Sequence, residues 1–358
     1  MDRATVDTYD RRGLQWAATH GTAGRRSEAE AFAARVGPGA LRLDAGCGAG
    51  RYLPYLGTPV VALDASTAML GECRRQVPDA LYVLGDVEHL PFARGAIAGA
   101  WSWMTHLHVP RLRLPLALWD LHRAMAPGSP FEVQVLEGEY EGDELPGDEV
   151  GGRFFTAWRP ERLADVVTGA GFDVDRGSLA VSGDEVRLRA VRARTLADTV
   201  GPGMRLLVCG VNPSWYSADA GVGYARPGNR FWPAAMAAGI VTVDRDPVAA
   251  LVHHAVGMTD FVKRPSRTAA EVTGAEYRRG FERVERLVAW LRPGAVLFTG
   301  LSGWRDVVNP KAVAGVQPEA IGGRPAYVMP STSGLNARTP LADLADHMRA
   351  AWALGGSG

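Results

Sequence analysis

Two short apolar runs in this chain end in glycine just where a loop begins: LRLDAGCGAG at 41–50 and RLLVCG at 205–210. Each is followed by a helical pattern and then by further apolar runs. In the first half the runs are PVVALDAS, ALYVLGDVEHLPF, GAIAGAWSW and PFEVQVLEG, with an alternating closing strand in DEVRLRAVRAR. In the second they are AVLFTG (295–300) and AYVMP (326–330), between the helical stretches YRRGFERVERLVAWL (277–291) and LADLADHMRAAWAL (341–354). Strands alternating with helices predict βαβ units and a mostly parallel sheet. The fold class is therefore α/β, with a sheet and flanking helices in each half. In open sheets of this kind ligands sit beyond the carboxyl ends of strands. The two glycine-ended runs thus mark two candidate sites.

At 358 residues the chain is longer than one hydrophobic core usually supports, about 250–300 residues, so two domains are expected. Gly201-Pro202-Gly203 would interrupt any helix or strand. It places a linker at 198–203 between domains at 1–197 and 204–358. Residues 1–30 are expected to be helical and polar, and the acidic run 137–152 to be a solvated loop. RPERLADVVTGAGFDV predicts a helix ending at Gly171 and then a strand.

No apolar run reaches the roughly 18 residues of a membrane span, and the N-terminus has no apolar signal region. Cys47, Cys73 and Cys209 fall at no metal or redox spacing, cannot hold a four-cysteine cluster, and fit a reducing cytoplasm. The net charge of zero conceals a division. Residues 1–200 hold 22 Lys+Arg against 27 Asp+Glu, and residues 201–358 hold 17 against 12. The basic half suits phosphate contact.

The first loop sets Asp44, Gly46, Gly48 and Gly50 on a strand-to-helix turn, spaced GxGxG rather than GxGxxG. Asp64 ends the next strand, where a carboxylate can accept from ribose hydroxyls, and Asp86 ends the third. With HRAMAPGSPFEV and WRPERLADVVTGAGF downstream, residues 30–195 resemble class I S-adenosylmethionine-dependent methyltransferases. The resemblance implies S-adenosyl-L-methionine as cofactor, with the three glycines at its methionine part, Asp64 at the ribose and Asp86 at the adenine. A strand-end cap is the competing role for Asp86. The methyl acceptor is not legible: there is no (N/D)PP(Y/F) tetrapeptide and no Pro-Cys dipeptide. His106 and His108 are weak candidates for a general base. Trp101 and Trp103 would line an acceptor pocket or belong to the core.

The second loop continues as GVNPSWYSADAGVGYARPGNRFW, and VMPSTSGLNAR follows about a hundred residues later. In this order the segments resemble the two signature motifs of mismatch-specific uracil/thymine-DNA glycosylases. The resemblance implies excision of a flipped base mispaired with guanine in double-stranded DNA, without a cofactor. Asn212 would orient the attacking water. Tyr224 would stack on the base, Ser217 would reach its edge, and Ser214, where the family has Gly, would narrow the pocket or add a hydrogen bond. Leu335 would fill the gap left in the helix, with Gly334 and Asn336 facing the widowed guanine. Arg338 would contact the guanine or a phosphate, and Ser331, Ser333, Lys263 and Arg264 phosphates. Asp260 is given no catalytic role, and slow turnover is expected because Asn212 stands where faster relatives of that family place an aspartate and MPSTSG carries no histidine. Asn229 is expected to cap the next helix. Lys263 and Lys311 are the only lysines, so no Schiff base is expected. The alternative is a second domain that only binds nucleic acid. No metal site is expected.

Overall fold

The computed structural model describes residues 1–19, 24–336 and 338–356. The chain divides into two compact units, Met1–Thr168 with Phe172–Ala193, and Gly169–Gly171 with Arg194–Gly358.

The first unit begins with α1 (Arg3–Thr19) and α2 (Arg26–Val36), as the polar leading pattern predicts. There follow β1 (Arg42–Ala45), α3 (Leu53–Leu56), β2 (Val60–Asp64), α4 (Thr67–Gln76), β3 (Leu81–Leu84), β4 (Gly99–Trp103), α5 (Leu114–Ala124) and β5 (Pro130–Glu137). The remainder is β6 (Glu141–Gly142), β7 (Phe155–Trp158), α6 (Pro160–Gly169), β8 (Phe172–Ser182) and β9 (Glu185–Arg192). The sheet runs β3-β2-β1-β4-β5-β7-β6, with β9 antiparallel to β5 and to β8. Strands β1 and β4 are buried along their whole length, which explains their unbroken apolar character. Because β1 pairs with both β2 and β4, the chain reverses direction across the sheet there. That switch point opens the crevice in which ligands bind. The acidic run 137–152 is not simply solvated. It supplies β6, and Asp148 turns inward to pair with the buried Arg153.

The second unit contains β10 (Leu206–Gly210), α7 (Trp215–Ala220), α8 (Phe231–Ala238), α9 (Pro247–His254) and β11 (Val256–Asp260). It ends with α10 (Gly274–Leu291), β12 (Ala295–Thr299), α11 (Ser302–Val307), β13 (Gly315–Val316), β14 (Ala326–Met329) and α12 (Leu341–Leu354). Its sheet runs β11-β10-β12-β14-β13, parallel except for β13. Here β10 is the switch strand, flanked by β11 and β12. Val208, Leu297, Met329, Phe231 and Trp232 form its core. Residues 198–203, read above as a linker, are tied to β11. Thr199 and Met258 exchange backbone hydrogen bonds of 2.9 and 2.8 Å, and the Asp198 side chain is buried.

Candidate functional site

In the second unit the ladder continues past the strand ends. Phe261 N–H donates to Gly210 O at 2.9 Å and Val262 N–H to Val211 O at 3.0 Å. This sets Asp260 and Asn212 on neighbouring chain segments at one rim of a cavity of about 740 Å³. The Asn212 amide donates to Arg264 O at 3.0 Å and to Ser266 Oγ at 2.8 Å. A backbone carbonyl can only accept, so the nitrogen end of the amide is fixed. Oδ1 is then the end with no partner among the described residues. Ser266 Oγ in turn donates to Thr268 O at 2.7 Å.

The Asp260 carboxylate also lines the cavity and has no hydrogen-bond or ion-pair partner among the described residues. Burial pushes it up to about 6; Lys263 and Arg283 pull it back, and the Asp198 charge opposes them. Burial disfavours the charged form until positive neighbours compensate, and here they compensate only in part. Gly210 is required beside it. A Cβ there would stand 2.4 Å from Asp260 Oδ1 and 3.0 Å from the Tyr224 hydroxyl.

Tyr224 forms the floor. Its ring stacks on Phe231 with centroids 4.1 Å apart and planes 13° from parallel. Its hydroxyl lies 2.9 Å from Thr299 Oγ1. Burial, then the Asp260 charge, pushes the phenol well above its ordinary value, so it stays neutral. With φ +59°, Tyr224 is held in the left-handed region, an uncommon conformation for a bulky residue. Asn229 Oδ1 accepts from Phe231 N–H at 2.9 Å, but the N-cap position of α8 is Arg230, so Asn229 stands one residue before the cap it was expected to be.

The loop after β14 forms the opposite rim. Leu335 is 86% exposed at its tip. Ser331, Ser333, Asn336 and Arg338 line the cavity as well. The Asn336 side chain is turned inward, donating to Ser331 O at 2.8 Å and to Thr339 Oγ1 at 3.2 Å, and its backbone N–H donates to Ser333 O at 2.9 Å, so the backbone expected to face a guanine is engaged within the loop. Ser331 Oγ and Ser333 Oγ accept loop N–H groups at 3.3 Å each.

Four assigned residues are otherwise engaged. Ser214 caps α7, accepting from Ser217 N–H at 3.1 Å. Its hydroxyl donates to Ser217 Oγ, also at 3.1 Å, so the buried Ser217 hydroxyl already has a partner. Lys263 does not face solvent: its ammonium pairs with the buried Asp198. Burial alone would raise the Asp198 pKa, yet Arg283 and Lys263 hold it below the ordinary carboxylate range. Arg264 is outside but paired with Glu276 through two bonds of 2.6 and 3.0 Å. These two assignments were drawn from a basic loop; Glu276 lies 12 residues beyond Arg264 and Asp198 lies 65 residues before Lys263, so neither neutralising acid belongs to that loop.

In the first unit the glycine loop crosses β2, with Gly46 and Cys47 N–H groups both donating to Leu63 O. Gly46 has φ +76°, and a Cβ there would run into Thr105 at 2.2 Å. At Gly50 it would meet Cys73 Sγ at 2.7 Å, whereas nothing lies within 4 Å at Gly48. Asp64 accepts from Gly48 N–H at 2.8 Å and Ser66 N–H at 2.9 Å. Asp44 is buried, its Oδ2 has no partner among the described residues, and burial with the nearby Asp64 charge pushes it up to about 8. Asp86 accepts from Glu88 N–H at 2.9 Å and pairs with the terminal ammonium at 2.5 Å. Trp101 and Trp103 stack at 4.4 Å and belong to the core. His108 is packed between Phe154 O and the Tyr9 hydroxyl. His106 bonds Ser102 Oγ through Nδ1, and burial draws it down to about 4.

Comparison with known proteins agrees with this division. Residues 43–128 match the family of the methyltransferase domain, and residues 197–354 match the uracil DNA glycosylase superfamily. The chain joins a methyltransferase domain to a uracil DNA glycosylase superfamily domain. Solved structures similar to it include a S-adenosylmethionine-dependent methyltransferase from Aquifex aeolicus, at 20% identity over 54% of this chain and 100% of that one, with a TM-score of 0.38. Another is 1,6-didemethyltoxoflavin-N1-methyltransferase of Burkholderia thailandensis, at 20% identity over 52% and 85%, TM-score 0.41. A third is magnesium protoporphyrin IX methyltransferase of Synechocystis, at 17% identity over 54% and 98%, TM-score 0.42.

Within the glycosylase-superfamily domain, sequence reasoning passed over Asp260, Ser266, Thr299 and Arg230. For Asp260 a signal existed. It ends a strand, as Asp64 does, and strand-end carboxylates face the crevice. For the other three no local pattern points to the partner across the fold.

Proposed function

We propose that the glycosylase-superfamily domain hydrolyses the N-glycosidic bond of a uracil- or thymine-type base, mispaired with guanine and swung out of duplex DNA into the cavity. One observation carries this reading: a partnerless Asp260 carboxylate and the free Oδ1 of Asn212 share the rim above a stacked aromatic floor. The base lies on Tyr224, and stacking of this kind contributes about 1–3 kcal/mol. A water held by Asn212 Oδ1 gives a proton to Asp260, and its oxygen bonds to C1′. The bond from C1′ to the base nitrogen breaks, and its electron pair leaves with the base. Asp260 supplies the proton acceptor that Asn212 cannot be, because an amide does not take a proton near neutral pH. The slow turnover expected from Asn212 in place of an aspartate is therefore not required.

For the methyltransferase domain we infer S-adenosyl-L-methionine as methyl donor, in a cytoplasmic protein. The residues fit such a ligand. Gly48 leaves open space where a backbone can approach it, and Asp44 keeps a buried oxygen without a partner among the described residues. Asp64 spends one hydrogen bond on each oxygen, leaving further lone pairs for ribose hydroxyls. When bound, this donor supplies an electrophilic methyl group. The acceptor is a separate molecule that the crevice orients.

The test is a labelled duplex carrying G·U, incubated with the full chain and then treated with alkali. Strand breakage with wild type and its loss with Asp260→Asn support base excision. Tight binding without breakage, across U, T, hypoxanthine and etheno adducts opposite each base, would leave a nucleic-acid-binding module instead.

A further inference from the structure

The base platform and the exposed leucine loop are joined through one residue. Arg230 N–H donates to Thr332 O at 2.9 Å. Its guanidinium donates to Thr339 O at 2.5 Å and also to Asn336 O. Among the described residues it forms no ion pair; its charge is spent on two backbone carbonyls that flank Leu335 and Arg338. Two residues earlier, Gly228 O packs so closely on Gly334 that a Cβ there would stand at 2.8 Å. One residue later, Phe231 backs the ring of Tyr224. A single stretch, 228–231, therefore fixes the height of the Leu335 loop and the plane of the aromatic floor together.

We propose that Arg230 is a positioning residue for base extrusion, coupling entry of Leu335 into the helix to arrival of the base on Tyr224. This rests on the reading of Leu335 as the residue that fills the gap. A duplex leaves a gap when its base departs, and a single strand does not. The contribution of Arg230 should thus appear on duplex and vanish on single strands. Lysine cannot replace it, because one ammonium does not offer the planar fork that spans two carbonyls.

The experiment compares full-length wild type, Arg230→Ala and Arg230→Lys on the same uracil strand, alone and paired opposite guanine. Misplacement of a positioned group by an ångström can cost roughly a hundredfold. The expected result is a loss of roughly tenfold or more in kcat/KM on duplex for both variants, with single-strand rates within about twofold of wild type. Leu335→Ala should give the same split, and the double variant no further loss, since coupled residues are not additive. Equal losses on both substrates would make Arg230 a fold residue only and overturn the proposal. Arg230→Lys keeps charge and length, which guards against a variant that does not fold. Should wild type release no base at all, base excision is wrong. The proposal is then decided by 2-aminopurine at the target position: a fluorescence rise with wild type that Arg230→Ala lacks upholds it, and any other pattern rejects it.

Discussion

In the proposed base excision, Asp260 is the residue on which the chemistry turns. Its environment costs stability, because a carboxyl raised from 3.8 to about 6 holds its proton more tightly in the folded chain than in the unfolded one. Stability from this group is therefore greatest below pH 4, declines as pH climbs to about 6, and is constant above. At 1.36 kcal/mol per unit the decline is on the order of 2–3 kcal/mol. Asp260→Asn should accordingly melt higher than wild type at pH 8 and alike at pH 4. Calorimetry at the two values checks this. Under the proposed mechanism activity has the opposite dependence, since the ionised form takes the proton. We expect kcat/KM on G·U duplex to rise about tenfold per unit below pH 6 and to level above it. Asp260→Asn should lose roughly 10²–10⁴-fold, the usual range for a positioned base, and flatten the profile.

At the level of elements, the site depends on how closely α10 lies on the end of β11. Gly280 on α10 leaves no room: a Cβ would sit 2.1 Å from Phe261 O, a backbone atom that cannot swing aside. Gly280→Ala should lower stability by more than the 1–3 kcal/mol of ordinary overpacking and loosen Asp260 with it, read as a lower Tm and lower activity. The same helix brings Arg283 to Asp198 at 2.8 Å, beside Lys263. Lys263 thus belongs to the interior, while Arg338 on the opposite rim is exposed. Salt titration of DNA affinity separates them. Arg338→Ala should reduce the slope of log K against log salt by about 1, as loss of one phosphate contact does. Lys263→Met should leave the slope unchanged. Equal slopes for both variants and wild type would remove Arg338 from the DNA contacts.

For the whole molecule, each unit has its own core and its own switch strand, β1 in one and β10 in the other. Ligands should therefore act on separate unfolding transitions. At 100 times its dissociation constant a ligand stabilises what it binds by about 2.7 kcal/mol. S-adenosylmethionine should raise one transition and mismatched duplex the other, and Asp64→Ala should abolish only the first shift. A rise in both on adding S-adenosylmethionine would contradict this assignment.

The α/β architecture, both glycine turns and the strand-end carboxylates were legible in the chain itself. Glycine conformation and the alternation of strand and helix are set by residues close together in sequence. So was the convergence of the Asn212 and Leu335 loops on one cavity, through the resemblance their motifs carry. Burial and partnership were decided elsewhere. Whether Lys263 meets a phosphate depends on Asp198, whether Asp260 takes a proton depends on its lack of a partner, and Arg230 acts on carbonyls a hundred residues away. Such matters follow from which groups the folded backbone brings within hydrogen-bond distance and shields from water, and no stretch of sequence encodes that distance alone.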